Sequence, residues 1–250
     1  MSHHIVELKD VTYTYPDQTE ALRGLSVRIT HGESVAIVGA NGSGKTTLLS
    51  HLIGVLLPTS GTVNIGGYPL TKQTLPHVRR AVGMVFQNSD DQLFMPTVYD
   101  DVAFGPLNLG LPPAEVDARV TAALNTVGAL PLKDRTPYRL SGGQKRAVAI
   151  AAVIAMDPSI LVMDEPTAGL DPLARRQLIH LLNTFTHTKI IATHDLDLVL
   201  DLCPRTVVIG AGTVIADGPT LDVFNNQELL DKAHLEKPFR MQGCPICCPS

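Results

Sequence analysis

Tryptophan is absent, and aromatic residues make up only 4% of the 250 positions. A surface that holds single strands by stacking bases on rings has little to build from here. No block of Lys and Arg occurs, and the formal net charge is −4. The chain therefore lacks the electrostatic footprint of a protein that grips a phosphodiester backbone, and no nucleic-acid partner is expected. No apolar run approaches the roughly 20 residues that cross a bilayer. The opening, Met1-Ser2-His3-His4-Ile5, lacks the charged and apolar regions of a secretory leader. The expectation is a cytoplasmic protein; if it works at a membrane, a partner supplies the span. Only four Cys occur, and in that compartment they read as free thiols rather than as a disulfide frame. Internal repeats and low-complexity tracts are also missing.

What is present is a 44% hydrophobic chain, enough for one large α/β domain or a domain with a sizeable insertion. It is organised around Gly39-Ala40-Asn41-Gly42-Ser43-Gly44-Lys45-Thr46, followed by Thr47. An apolar run, Val35–Val38, precedes this stretch, and helical spacing of Leu48, Leu49, Leu52 and Ile53 follows it. Strand, glycine loop and helix in that order make a phosphate cradle. Gly39, Gly42 and Gly44 allow the tight backbone path that turns N–H groups inward, and the helix adds its positive end. Lys45 reaches the outer phosphates, and the Thr46 hydroxyl is a Mg²⁺ ligand.

The remaining chain supplies a fold for that loop. Val6 to Tyr15 and Leu22 to Ile29 alternate as strands, and Gly61–Gly67 and Val82–Phe86 are further strands. From Asn88 to Asp157 the spacing becomes helical, over Pro112–Ala129 and Gly142–Met156. Ile160–Met163 is a continuous apolar run, as a strand covered on both faces should be. Leu173–Phe185 predicts a helix, Lys189–Thr193 a strand, Val207–Ala216 a hairpin about Ala211-Gly212, and Pro219–Phe224 the start of a last helix. The expected fold is an α/β phosphate-loop core with a mixed, largely parallel sheet. An N-terminal antiparallel β subdomain precedes it and an α-helical subdomain is inserted into it. The core takes 1–87 and 158–238, and the helices take 88–157. Residues 239–250 form a Cys- and Pro-rich tail expected to be poorly ordered. Its Cys244, Cys247 and Cys248 offer half of a zinc site that His234 or a second tail would have to complete, and plain exposed thiols are the preferred reading.

Asp164 and Glu165 follow the apolar strand directly. Neighbours on a strand point opposite ways, so one carboxylate can join the Mg²⁺ shell beside Thr46 while the other orients or deprotonates a water. Gln87 and His194 both end strands. An amide at Gln87 can ligate Mg²⁺ or position water, and His194 can hydrogen-bond a γ-phosphate. Alone, each is equally an ordinary strand-end residue. Leu140-Ser141-Gly142-Gly143-Gln144 opens a helix with a good N-cap and two glycines, which makes a second anion site or a simple cap.

Tyr15, Gly39–Thr46, Gln87, Leu140–Gln144, Ile160–Glu165, Ala168–Asp171 and His194 occur in the order of an ATP-binding cassette ATPase, which the chain resembles over Ile5 to Phe224. The resemblance implies that Tyr15 stacks on adenine and that Asp171 helps link two protomers. It also implies that Ser141–Gln144 of one protomer closes over ATP and Mg²⁺ held by the other, in a homodimer or heterodimer. Val85–Phe94 and Asp101–Gly110 are similar to the energy-coupling-factor ATPases, including those of cobalt and nickel importers. That likeness implies a transmembrane coupling subunit docked after Gln87, a substrate-binding membrane subunit beyond it, and a peripheral place on the cytoplasmic membrane face. Vitamin import and a non-transport mechanochemical switch are the alternatives. Leu93 and Phe94 beside Asp90 and Asp91 would give a groove with apolar walls and an acidic rim. Two positions depart from the pattern. Ser89 stands where Pro is frequent, and Ala147 stands where Arg is common, with Lys145 and Arg146 beside it at other angles of the helix.

Overall fold

The computed structural model describes residues 6–242, so the reading of Cys244, Cys247 and Cys248 lies outside the described residues. In chain order the elements are β1 (Val6–Thr14), β2 (Glu20–Ile29), β3 (Ser34–Val38), α1 (Lys45–Leu52), β4 (Ser60–Ile65), β5 (Tyr68–Pro69), α2 (Leu75–Ala81) and β6 (Val82–Val85). Three helices follow, α3 (Val98–Asn108), α4 (Pro113–Thr126) and α5 (Gly142–Ile154). The chain then runs through β7 (Ile160–Asp164), α6 (Pro172–Thr184), β8 (Thr188–Ala192), α7 (Leu196–Leu202), β9 (Arg205–Gly210), β10 (Thr213–Pro219), α8 (Thr220–Asn225) and α9 (Gln227–Lys232).

Two sheets result. One is four-stranded in the order β2-β1-β4-β5, and its pairs are antiparallel. The other is six-stranded in the order β10-β9-β3-β8-β7-β6. Its strands run parallel except for the antiparallel β9–β10 hairpin. The hairpin turns at Ala211 and Gly212, both at positive φ (47° and 79°), as a tight two-residue turn requires.

β3 explains why the core is double. Val35 and Ile37 pack into a cluster with the antiparallel sheet and α1, while Ala36 and Val38 pack into a second cluster under α5, α6 and α7. Alternate residues of one strand thus bury both faces, which is why it reads as an unbroken apolar run. A third cluster joins α3, α4 and α5 through Val98, Val102, Val120, Leu124, Val148 and Ala151. Among the described residues, no helix is long and apolar enough to cross a membrane. Cys203 is buried, and burial pushes its thiol up to about 12, so it is an inert core residue.

Three helices, α2, α7 and α9, carry no expectation from the sequence, while α3 falls inside the 88–157 stretch expected to be helical without being singled out there. Pro106 lies inside α3, where a missing N–H normally argues against helix. α7 reads Leu-Asp-Leu-Val-Leu-Asp-Leu, a strand-like alternation. It is nevertheless helical, because Asp195 caps it by accepting from Leu198 N–H at 2.9 Å.

Candidate active site

Four neighbouring parallel strands end at the same edge of the sheet. β3 runs into the glycine loop, β8 into Thr193-His194, β7 into Glu165, and β6 toward Gln87. Open α/β sheets bind ligands beyond the carboxyl ends of their strands.

The loop between β3 and α1 has little freedom. At Gly39 a Cβ would meet Ile209 O at 2.1 Å and Ser43 Oγ at 2.7 Å. Gly44, at φ 107°, caps α1 with Ala21 O only 2.8 Å from where a Cβ would stand. The β9–β10 turn braces the loop from outside, Gly212 N–H donating to Ser43 O at 3.0 Å. The Ser43 hydroxyl is buried without a hydrogen-bond partner, so the loop holds an unspent polar atom, as an anion cradle should. Asn41 and Gly42 are exposed.

Lys45 is 9% exposed and donates to Gly39 O at 2.8 Å and Ala40 O at 3.1 Å. Burial pushes its ammonium below the ordinary lysine value, while the charges of Glu165 and Asp164 oppose that shift. Thr46 Oγ1 donates to Asp164 Oδ2 at 3.2 Å. Burial pushes the Asp164 carboxyl above its ordinary value; Glu165 adds to this, and Thr46 and Lys45 oppose it. A hydroxyl and a carboxylate oxygen side by side are hard-cation donors, and they suit Mg²⁺ beside a triphosphate.

Glu165 does not continue the strand. Its φ is 44°, in the left-handed region, with its N–H bonded to Ala192 O at 2.8 Å. The division between Asp164 and Glu165 thus comes from a turn in the backbone, not from strand alternation as expected. The Glu165 carboxylate is held from three sides: Thr193 Oγ1 donates to Oε2 at 2.8 Å, His194 N–H donates to Oε1 at 3.0 Å, and His194 Nδ1 lies 2.8 Å from Oε1.

Thr193 was not legible as a site residue, and it is fully buried. While donating to Glu165 it accepts from Asp195 N–H at 3.0 Å. Asp195 in turn binds Arg175 at 3.0 and 3.2 Å and Thr167 at 3.1 Å. Burial pushes the Asp195 carboxyl up, but Arg175, the Leu198 N–H and the Thr167 hydroxyl outweigh it and hold it low. The same network frames the stretch leading to Asp171, which caps α6 by accepting from Leu173 and Ala174 N–H, each at 2.9 Å.

The other expected residues sit as follows. Tyr15 is half-buried, its hydroxyl 3.0 Å from Thr47 Oγ1 and its ring against the edge of Tyr13 at 4.9 Å. Gln87 is exposed, and the structure does not bring its side chain into hydrogen-bond contact with Thr46 or Asp164; its carbonyl is held by Arg146. Ser141 and Gln144 form a reciprocal capping box at 3.3 and 3.0 Å at the head of α5, with Ser141 and Gly142 exposed and Gly143 half-buried. Leu93 is buried in the helical cluster, so only Phe94 of that pair faces out. Phe94 and Phe104, 64% and 42% exposed, meet edge to face at 5.1 Å beside a groove of about 630 Å³. Asp90 and Asp91 do not form the acidic rim expected: Arg79, Arg80 and His77 line one side, and the one carboxylate in the lining is Asp101. Asp90 is turned away to Lys145.

A glycine loop opening a helix, a Thr–Asp pair at its mouth and a Glu braced just past the end of β7 define a phosphate-loop nucleotide hydrolase. A sequence profile of the ABC transporter family matches residues 22–168. A protein of Geobacter sulfurreducens, named as an ABC transporter ATP-binding protein, is 66% identical over 99% of both chains. An energy-coupling factor transporter ATP-binding protein of Methanocaldococcus jannaschii is 48% identical over 94% of this chain and 86% of its own length. Among solved structures, cbiO1 of Clostridium perfringens, part of the ABC transporter complex cbiONQ, superimposes with a TM-score of 0.81. It is 41% identical, over 92% of this chain and 94% of that one. A dimeric ATP-binding cassette in a post-hydrolysis state with ADP and phosphate gives a TM-score of 0.77 at 29% identity, over 86% and 98%. The chain belongs to the ABC transporter family and is an ATP-hydrolysing cassette of it.

Proposed function

We propose that this chain is the ATPase of an energy-coupling-factor importer, working as one half of a cassette dimer on the cytoplasmic face of the membrane. The meeting of Lys45, Asp164 and Glu165 at one sheet edge carries the chemistry of this reading. The loop N–H groups and Lys45 hold the β- and γ-phosphates. Thr46 and Asp164, joined by the Gln87 amide on closure, would hold Mg²⁺, and the ion would supply charge neutralisation at those phosphates. Glu165 accepts a proton from water as the water oxygen bonds to the γ-phosphorus and the bond to the ADP oxygen breaks. His194 and Thr193 fix the Glu165 carboxylate; on leaving it, the exposed His194 ring is free to reach the γ-phosphate. Tyr15, beside the loop, takes the adenine. Ser141, Gly142, Gly143 and Gln144 close over the ATP of the second protomer, and Asp171 lies at that junction. Their outward position and the dimeric relative support this part of the reading.

The Phe94–Phe104 groove is the surface for a transmembrane coupling subunit, since so exposed a pair of rings at a concave site needs a cover. The cargo proposed is cobalt or nickel ion, on the likeness of segments 85–94 and 101–110 to that importer type. Phe94→Ser with Phe104→Ser is expected to cut recovery of the membrane subunit about tenfold or more, with ATP affinity unchanged. Undiminished recovery by detergent co-purification, or recovery with ribosomes instead, would refute this docking surface.

A further inference from the structure

We propose that Arg146 is a positioning residue that makes the Gln87 segment and the Ser141–Gln144 helix end move as one body. Arg146 is only 4% exposed, and its guanidinium donates from Nη1 to Phe86 O and from Nη2 to Gln87 O. Two further ties run between the same pieces of chain. Lys145 Nζ pairs with Asp90 Oδ1 at 2.5 Å. Gln92 Nε2 donates to Ala149 O at 2.8 Å, while its Oε1 accepts from Phe86 N–H at 3.3 Å. Residues 86–92 are thus pinned to α5 at three points.

Lys145 and Arg146 lie within the first turns of α5, directly after the capping box. A helix is stiff over that distance, so the strap fixes the Gln87 backbone relative to Ser141 and Gly142. The Gln87 side chain is left exposed and unattached. Separating the two pieces would strand a buried guanidinium whose Nε already lacks a partner, a costly state. Discrete repositioning of the whole unit is therefore favoured over independent motion. A change at the Gln87 side chain reaches the helix end that faces a second protomer, and closure there reaches Gln87.

The kinetic half of the test rests on the ATP-hydrolysing reading, and the exchange half does not. Arg146→Gln is expected to lower kcat for ATP hydrolysis about tenfold to a hundredfold, as misplacement of a positioned group does, with the Kd for ATP within about twofold. Arg146→Lys should restore most of kcat. In a Gln87→Ala background, Arg146→Gln should add less than about twofold, since the two act through one group. In nucleotide-free protein, hydrogen exchange should quicken together in 86–92 and 142–146 and stay unchanged in α4. Additive losses of kcat, or exchange that quickens in one segment without the other, would overturn the proposal. If Arg146→Gln does not fold, Arg146→Lys, which keeps only part of the guanidinium fork, must still quicken exchange in 86–92 and 142–146 together, and quickening of one without the other is equally decisive. A wild-type chain with no ATP hydrolysis would remove the functional reading and leave the exchange result to judge the strap.

Discussion

Glu165→Gln is expected to bind ATP as tightly as the parent chain and to hydrolyse it a hundredfold to ten-thousandfold more slowly, roughly the range a general base supplies. The substitution is nearly isosteric. The amide oxygen can still accept from His194 N–H, and the Thr193 hydroxyl, which now donates at 2.8 Å, can rotate to accept from the new NH₂. Shape and neighbours are kept, and the ability to take a proton from water is lost. Because Lys45, Ser43 and Thr46 are untouched, the phosphates should be held as before. Single-turnover hydrolysis and equilibrium ATP binding on the same preparation check both halves. Hydrolysis at the parent rate would remove Glu165 from the chemistry.

Lys45→Ala should act on the other side of the cycle and weaken ATP binding about tenfold to a hundredfold or more. A charge-assisted hydrogen bond contributes on the order of 1.5–3 kcal/mol, and the buried ammonium is the cation placed for the outer phosphates. Its ammonium also bonds to Gly39 O and Ala40 O, so the same group organises the loop. Removing it frees those carbonyls as well, and a modest drop in thermal stability should accompany the loss of affinity. An unchanged nucleotide Kd would contradict the assignment of the loop.

The phosphate loop was legible because its chemistry is local: consecutive residues build the whole cradle, and flanking strands buried on both faces announce themselves as apolar runs. Asp164 and Glu165 were legible for the same reason, at the end of such a run. The manner of their separation was not, since the left-handed turn at Glu165 is stabilised by Ala192 on the neighbouring strand. Thr193, Asp195 and Arg175 carry no signal of their own; their place in the site arises from β7, β8 and α6 meeting in space. α7 carries no clear helical signal for a related reason, because its alternating Leu and Asp are equally compatible with a strand until the Asp195 cap is known. The groove shows the limit from the other side. Leu93 and Phe94 are adjacent and similarly apolar, yet one is buried among helices and the other stands 64% exposed.

Hydrolysis of ATP in ¹⁸O-labelled water tests the chemistry of Glu165 and its braced carboxylate most directly. Direct attack of an activated water on the γ-phosphorus predicts one labelled oxygen in the released phosphate and none in ADP. Label in ADP, or a phosphorylated carboxylate trapped on the protein, would contradict it.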